Sequence, residues 1–115
     1  MKTTLTLLAA LLTTPAMAAE SANDLLPVCR AYLNGQDDVG YVVLEAKCSG
    51  IIEGLDFLAD TTMIEEWRSC IPREVTHLQV LAVVVRWLDS RPARWHESFN
   101  KLALIAMHEA WPCRH

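Results

Sequence analysis

After residue 20, apolar residues recur at steps of three and four, the spacing that lines one face of a 3.6-residue helix. Four segments carry this pattern. The first holds Leu26, Val28, Cys29, Tyr32 and Leu33. Asp24 is placed to cap it, which sets Pro27 at the third helical position where no backbone donor is required, and Asn34-Gly35 supplies a stop. The second starts near Gly40 and presents Tyr41, Leu44, Cys48, Ile51 or Ile52, Leu55 and Leu58. Gly50 and Gly54 lie four apart on one face. Each costs about 1 kcal/mol against Ala inside a helix, so the pair predicts the close approach of another helix. The third has the clearest start: Thr76 and Gln79 form a capping box, and Val75 with Val80 form a hydrophobic staple across it. Leu78, Leu81, Val85 and Leu88 then make its stripe. Val83 to Val85 is a β-branched run with strand character, but the capping signals and the length of the stripe decide for helix. The fourth runs from about Trp95 to Trp111, with Phe99, Leu102, Ile105 or Ala106 and Ala110 inward, and Pro112 ends it. Residues 60–69 connect the second and third segments with room for a short helical turn, and Asp89-Ser90-Arg91-Pro92 breaks the third from the fourth. The pattern predicts an all-α fold, a small four-helix bundle whose short connections make neighbours mostly antiparallel.

Residues 1–18 stand outside this pattern. Lys2 supplies a positive start, Leu5 to Leu12 a short apolar run, and Ala16-Met17-Ala18 a small-x-small cleavage site. Together they read as a secretory signal peptide cleaved after Ala18, leaving residues 19–115 as a single helical domain. The apolar run is shorter than the roughly 20 residues a membrane span needs, and no later segment reaches that length. Export places the four cysteines, Cys29, Cys48, Cys70 and Cys113, in an oxidising space, where an even count predicts two disulfides. Cys70 before the third helix and Cys113 after the fourth fall at one level of an antiparallel pair, as do Cys29 and Cys48 about the first turn. The nested pairing, Cys48–Cys70 with Cys29–Cys113, and the crossed one stay open at this point.

The 115 residues make one domain and exclude a barrel or a doubly wound sheet. A net charge of −4 argues against nucleic acid as a partner. There is no CxxC or HxxxH pair to hold a metal, and His77, His96, His108 and His115 show no ligand spacing. His77 falls in an exposed first helical turn, and His108 near a helix end where a cation suits the dipole. Cys113 and His115 meet only at the chain end, behind Pro112, and do not make a thiol nucleophile with its base. The carboxylate pairs Asp37-Asp38 and Glu65-Glu66 are adjacent loop acids rather than two separated environments that push pKa values apart. The sequence therefore predicts no catalytic residue, no metal and no cofactor.

With these elements placed, the chain resembles the Rap/Tai-type immunity proteins, which protect Gram-negative bacteria from type VI secreted amidase effectors. The matching stretches are SANDLLPVC at 21–29, CSGIIEG at 48–54, CIP at 70–72, VTHLQVLAVVVRWLDSRP at 75–92 and LALIAMHEAWPC at 102–113. One departure is Ile51, where the family often carries Tyr; it reads as a variation in the core. The resemblance implies an all-α protein exported to the periplasm, commonly a homodimer. It also implies a partner, a peptidoglycan amidase of cysteine-peptidase type whose active-site cleft is blocked. Inhibition of that kind needs a rigid surface rather than chemistry, and Trp and Arg on a pre-organised loop are the expected anchors. Two loops qualify: residues 61–69 with Glu65, Glu66, Trp67 and Arg68, and residues 90–97 with Arg91, Arg94, Trp95 and His96. The competing reading makes Trp67 and Trp95 partly buried core residues. A different class, a periplasmic helical chaperone or an envelope binding protein, is separated from immunity by partner selectivity.

Overall fold

The computed structural model describes residues 20–35 and 41–114. The signal peptide expected at residues 1–18, Asp37-Asp38, the start near Gly40 and His115 lie outside the described residues. Four helices follow in order: α1 (Ala22–Leu33), α2 (Tyr41–Thr61), α3 (His77–Asp89) and α4 (Phe99–Ala110). Short 3-10 turns at Glu65–Trp67 and Pro92–Arg94 interrupt the connections before α3 and α4. Among the described residues no strand occurs, and the protein is an all-α four-helix bundle. α1 packs against the other three helices, α2 reaches α3 and α4, and α3 pairs with α4.

The start of α1 differs from the expectation. Ser21 is the N-cap, and Asp24 is the third helical residue, accepting from the Ser21 backbone N–H at 3.3 Å and its hydroxyl at 3.0 Å. Pro27 therefore lies inside the helix, where it removes one backbone hydrogen bond. At the helix start, two N–H groups with no partner inside the helix are satisfied by a later stretch of the same chain: Ala22 N–H donates to the Glu97 carbonyl at 3.0 Å and Asn23 N–H to that of Trp95 at 2.8 Å. The stop at Asn34-Gly35 forms as expected, with Gly35 at φ +63°, a conformation that only glycine adopts without cost.

The core is made by Ala22, Leu25, Leu26 and Cys29 of α1, Cys48, Ile52, Leu55 and Ala59 of α2, and the inner faces of α3 and α4. Ile52 rather than Ile51 is fully buried, while Ile51 packs half-buried against the core. Leu58 is 40% exposed, and Ala59 is buried in its place. The close approach predicted from Gly50 and Gly54 is absent. Both are exposed, and a Cβ at either would meet nothing within 4 Å. In α3 the capping box is present, Gln79 N–H donating to Thr76 Oγ1 at 3.2 Å and Thr76 N–H to Gln79 Oε1 at 2.7 Å. Its buried stripe is Val80, Leu81, Val84, Val85, Trp87 and Leu88, with Leu78 left half-exposed. α4 begins four residues later than predicted, because Pro92–Arg94 forms a separate turn. Ala106 is buried, Ile105 half-buried and Ala110 exposed.

Two disulfides, Cys29–Cys48 and Cys70–Cys113, staple the bundle at Cα–Cα distances of 5.6 Å and 4.9 Å. The first is buried between α1 and α2. The second joins the approach to α3 with the residues after α4 at the surface, since Cys70 is exposed and Cys113 half-buried.

Candidate functional site

The two loops singled out from the sequence lie at opposite ends of α4. Residues 90–97 precede its first residue, whereas the Arg68 carbonyl accepts a 2.6 Å hydrogen bond from His108 Nδ1 near its last turn. A carbonyl only accepts, so the proton sits on Nδ1 of His108. Twelve residues at about 1.5 Å each hold the loops roughly 18 Å apart.

The 90–97 loop is turned inward. Trp95 is half-buried and donates from Nε1 to the Leu88 carbonyl at 2.7 Å. Arg91 stacks its guanidinium 4.1 Å above the Trp87 ring and donates to the Trp87 carbonyl at 3.1 Å. Arg94 forms a two-pronged pair with Glu97 at 2.7 Å and 3.2 Å. The Arg94 hydrogen bond holds the Glu97 carboxyl down, to a pKa of about 2; desolvation opposes this, while the Arg94 and Lys101 charges assist. The same loop supplies the carbonyls that cap α1. Of its four named side chains, His96 alone is exposed.

The 61–69 loop is turned outward from a fastened base. Thr62 N–H donates to Leu58 O at 2.8 Å, Ser69 N–H to Ala59 O at 3.1 Å, and Cys70 N–H to Trp111 O at 2.9 Å. The 3-10 turn packs on α4, with Trp67 half-buried against the core, and the Cys70–Cys113 bond fastens the chain that follows it. Glu65, Glu66 and Arg68 are exposed. At the tip Met63 is 97% exposed, and Ile64 beside it is 47% exposed. The sequence reading missed Met63 because it looked for aromatic and basic anchors. The missed signal was an apolar residue in a connection with no helical face to join.

A groove of about 740 Å³ adjoins this loop, between the last turns of α2 and the chain leading into α3. Glu53, Asp56 and Asp60 recur at three and four on one side of α2 and line it. His77 is set between two of them, Nδ1 3.4 Å from Glu53 and Nε2 3.3 Å from Asp56. Ser69 is 2% exposed, lines the groove, and its Oγ has no hydrogen-bond partner in the protein.

All four cysteines are in disulfides, so none offers a thiol nucleophile. Among the described residues no three of His, Cys, Asp and Glu gather to hold a metal ion, and no helix is long and apolar enough to cross a membrane. These features define a small, covalently fastened helical protein that offers a projecting loop and an acidic groove. The chain belongs to the Rap1a immunity protein family, whose pattern matches residues 21–113. Membership implies immunity to a type VI effector. Neither a curated protein nor a solved structure matches the chain.

Proposed function

We propose that this chain is exported to the periplasm through its first eighteen residues and there blocks a type VI secreted peptidoglycan amidase of cysteine-peptidase type. It acts without chemistry of its own, by seating the 61–69 loop in the enzyme's cleft. The observation that carries this reading is the loop itself. An apolar tip at Met63 and Ile64 projects from a base held by three main-chain hydrogen bonds, the His108 contact and a disulfide. An exposed apolar tip has hydration to lose, and a fastened base leaves little freedom to freeze on binding. Glu65, Glu66 and Arg68 flank the tip as a polar rim, while Trp67 anchors the turn from below. The homodimer implied by the resemblance belongs to the same proposal; the outer face of α2 that carries Val43, Gly50 and Gly54, with Lys47 among them, is exposed.

The test uses a cysteine-peptidase-type amidase encoded beside this chain's gene. Turbidity loss of purified cell walls is followed with and without the exported protein. Stoichiometric protein should stop hydrolysis, and Met63→Ala with Ile64→Ala should weaken inhibition at least about tenfold, the scale of an interface hot spot, at unchanged thermal stability. An enzyme fully active under saturating protein refutes the reading. Broad suppression of aggregation of unrelated proteins would place the chain among chaperones instead.

A further inference from the structure

We propose that the groove beside the 61–69 loop receives an arginine side chain of the bound partner protein. This rests on the reading that the chain binds a protein effector, but the ligand chemistry comes from the groove alone. Three carboxylates, Glu53, Asp56 and Asp60, face one arginine, Arg73, across it. His77 occupies Glu53 and Asp56, while Asp60 has no ion pair among the described residues. The Ser69 hydroxyl is nearly fully buried and unpartnered in the wall. A polar group left that way is disfavoured unless a ligand or a local shift satisfies it. Phe57 lines the same groove, 72% exposed on the outer side of α2.

Those three features select a guanidinium over other cations. Its planar fork pairs with a carboxylate and still has donors for a hydroxyl, and its face stacks on an aromatic ring. The ring of Phe57 supplies the face and Asp60 the charge, and Ser69, whose hydroxyl is closed to solvent in the unbound protein, becomes the further acceptor when the wall shifts to admit the head. The three-carbon stem of arginine lies along the apolar wall, as such stems do where the charged head has a polar seat. A lysine ammonium pairs with Asp60 but gains little from the flat ring, and it carries no second prong. Ser69 at the end of the projecting loop lines the groove, and Asp60 precedes Met63 by three residues in the chain, so a partner seated on the loop has the groove as its neighbour.

The experiment titrates N-acetyl-arginine amide into the nitrogen-15-labelled exported protein and follows backbone amide shifts. The lysine and citrulline amides serve as comparisons, citrulline having the shape of arginine without its charge. Saturable shifts centred on Phe57, Asp60 and Ser69 are expected with arginine. Citrulline should bind at least about fivefold more weakly, and Asp60→Asn should lose a similar factor, as a partly exposed charge contact does. Ser69→Ala separates a ligand role from a structural one: it should raise Tm by removing an unpartnered hydroxyl, yet weaken arginine binding. Glu45→Gln, exposed elsewhere on α2, should leave binding unchanged. Absence of saturable shifts, equal binding of citrulline or lysine, or an unaffected Asp60→Asn variant overturns the assignment. Arginine binding by a protein that leaves the amidase active removes the immunity reading alone. Full inhibition by Asp60→Asn removes the arginine site alone.

Discussion

The Cys70–Cys113 bond should be both the larger stabiliser and the first to open. Its partners are 43 residues apart, against 19 for Cys29–Cys48. Restricting the unfolded chain by loops of those lengths corresponds to about 4 and about 3 kcal/mol at 25 °C. The loop closed by Cys70–Cys113 contains all of α3 and α4, so its loss frees half of the bundle in the unfolded state. Replacing both cysteines by serine should lower the urea midpoint by roughly 3–4 M for a slope of about 1–1.5 kcal/mol/M. Access orders the two bonds the other way. Cys29 and Cys48 are fully buried, so a thiolate reaches them only when the bundle opens, whereas Cys70 is exposed. Graded dithiothreitol, followed by alkylation and mass spectrometry, should label Cys70 and Cys113 first. Far-UV circular dichroism should stay native at that point, because Trp67, His108 and the Trp111 carbonyl still hold the loop base. Labelling of Cys29 and Cys48 first, or a cost below about 1 kcal/mol for the Cys70→Ser, Cys113→Ser variant, would refute the reasoning.

Gly50→Ala and Gly54→Ala should each stabilise the protein by about 0.5–1 kcal/mol, since the new methyl meets only open space on a helix. Thermal melts should rise by about 4–8 °C per kcal/mol, and a fall in Tm would contradict the open face. Glu97 makes an acid-side prediction. Its folded pKa of about 2 lies below the unfolded value, so its contribution is complete above about pH 4.5 and disappears as pH falls toward 2. Glu97→Gln should flatten the stability profile across that window and leave its slope between pH 5 and 7 unchanged; an altered slope near neutrality would count against the assignment.

Helix number, the capping box of α3 and the stop at Gly35 were readable along the chain because each is a local decision. A hydroxyl and an amide three residues apart close on their own backbone whatever surrounds them. The misplaced features were those decided at a distance. Asp24 has cap chemistry, but Ser21 takes the cap because carbonyls of residues 95 and 97 meet the next two N–H groups. The glycines of α2 carry the spacing of a helix contact, but the packed side of that helix is set by Cys48, Ile52, Leu55 and Ala59, nearly opposite. The acidic groove escaped notice for a similar reason. Glu53, Asp56 and Asp60 stay open to solvent and form a groove only because the chain at 69–77 runs beside them, and Ser69 gains its meaning only from its own burial there.

The two loops show why residue type alone does not locate a binding surface. Both offer Trp with Arg, the pairing common at interface hot spots. In the 90–97 loop that chemistry is satisfied within the chain: Arg91 on Trp87, Arg94 on Glu97 and Trp95 on the Leu88 carbonyl close the bundle and cap α1. In the 61–69 loop Trp67 packs on the core and Ser69 is buried, while the apolar tip is left in water. Truncation in the first loop should therefore lower thermal stability, with any loss of partner affinity following from it. Truncation at the tip of the second should lower affinity while Tm stays fixed. If Arg91→Ala and Arg94→Ala weakened inhibition at unchanged Tm, while Met63→Ala and Ile64→Ala left it intact, the inserting element would be the 90–97 loop and the outward geometry at Met63 would have another cause.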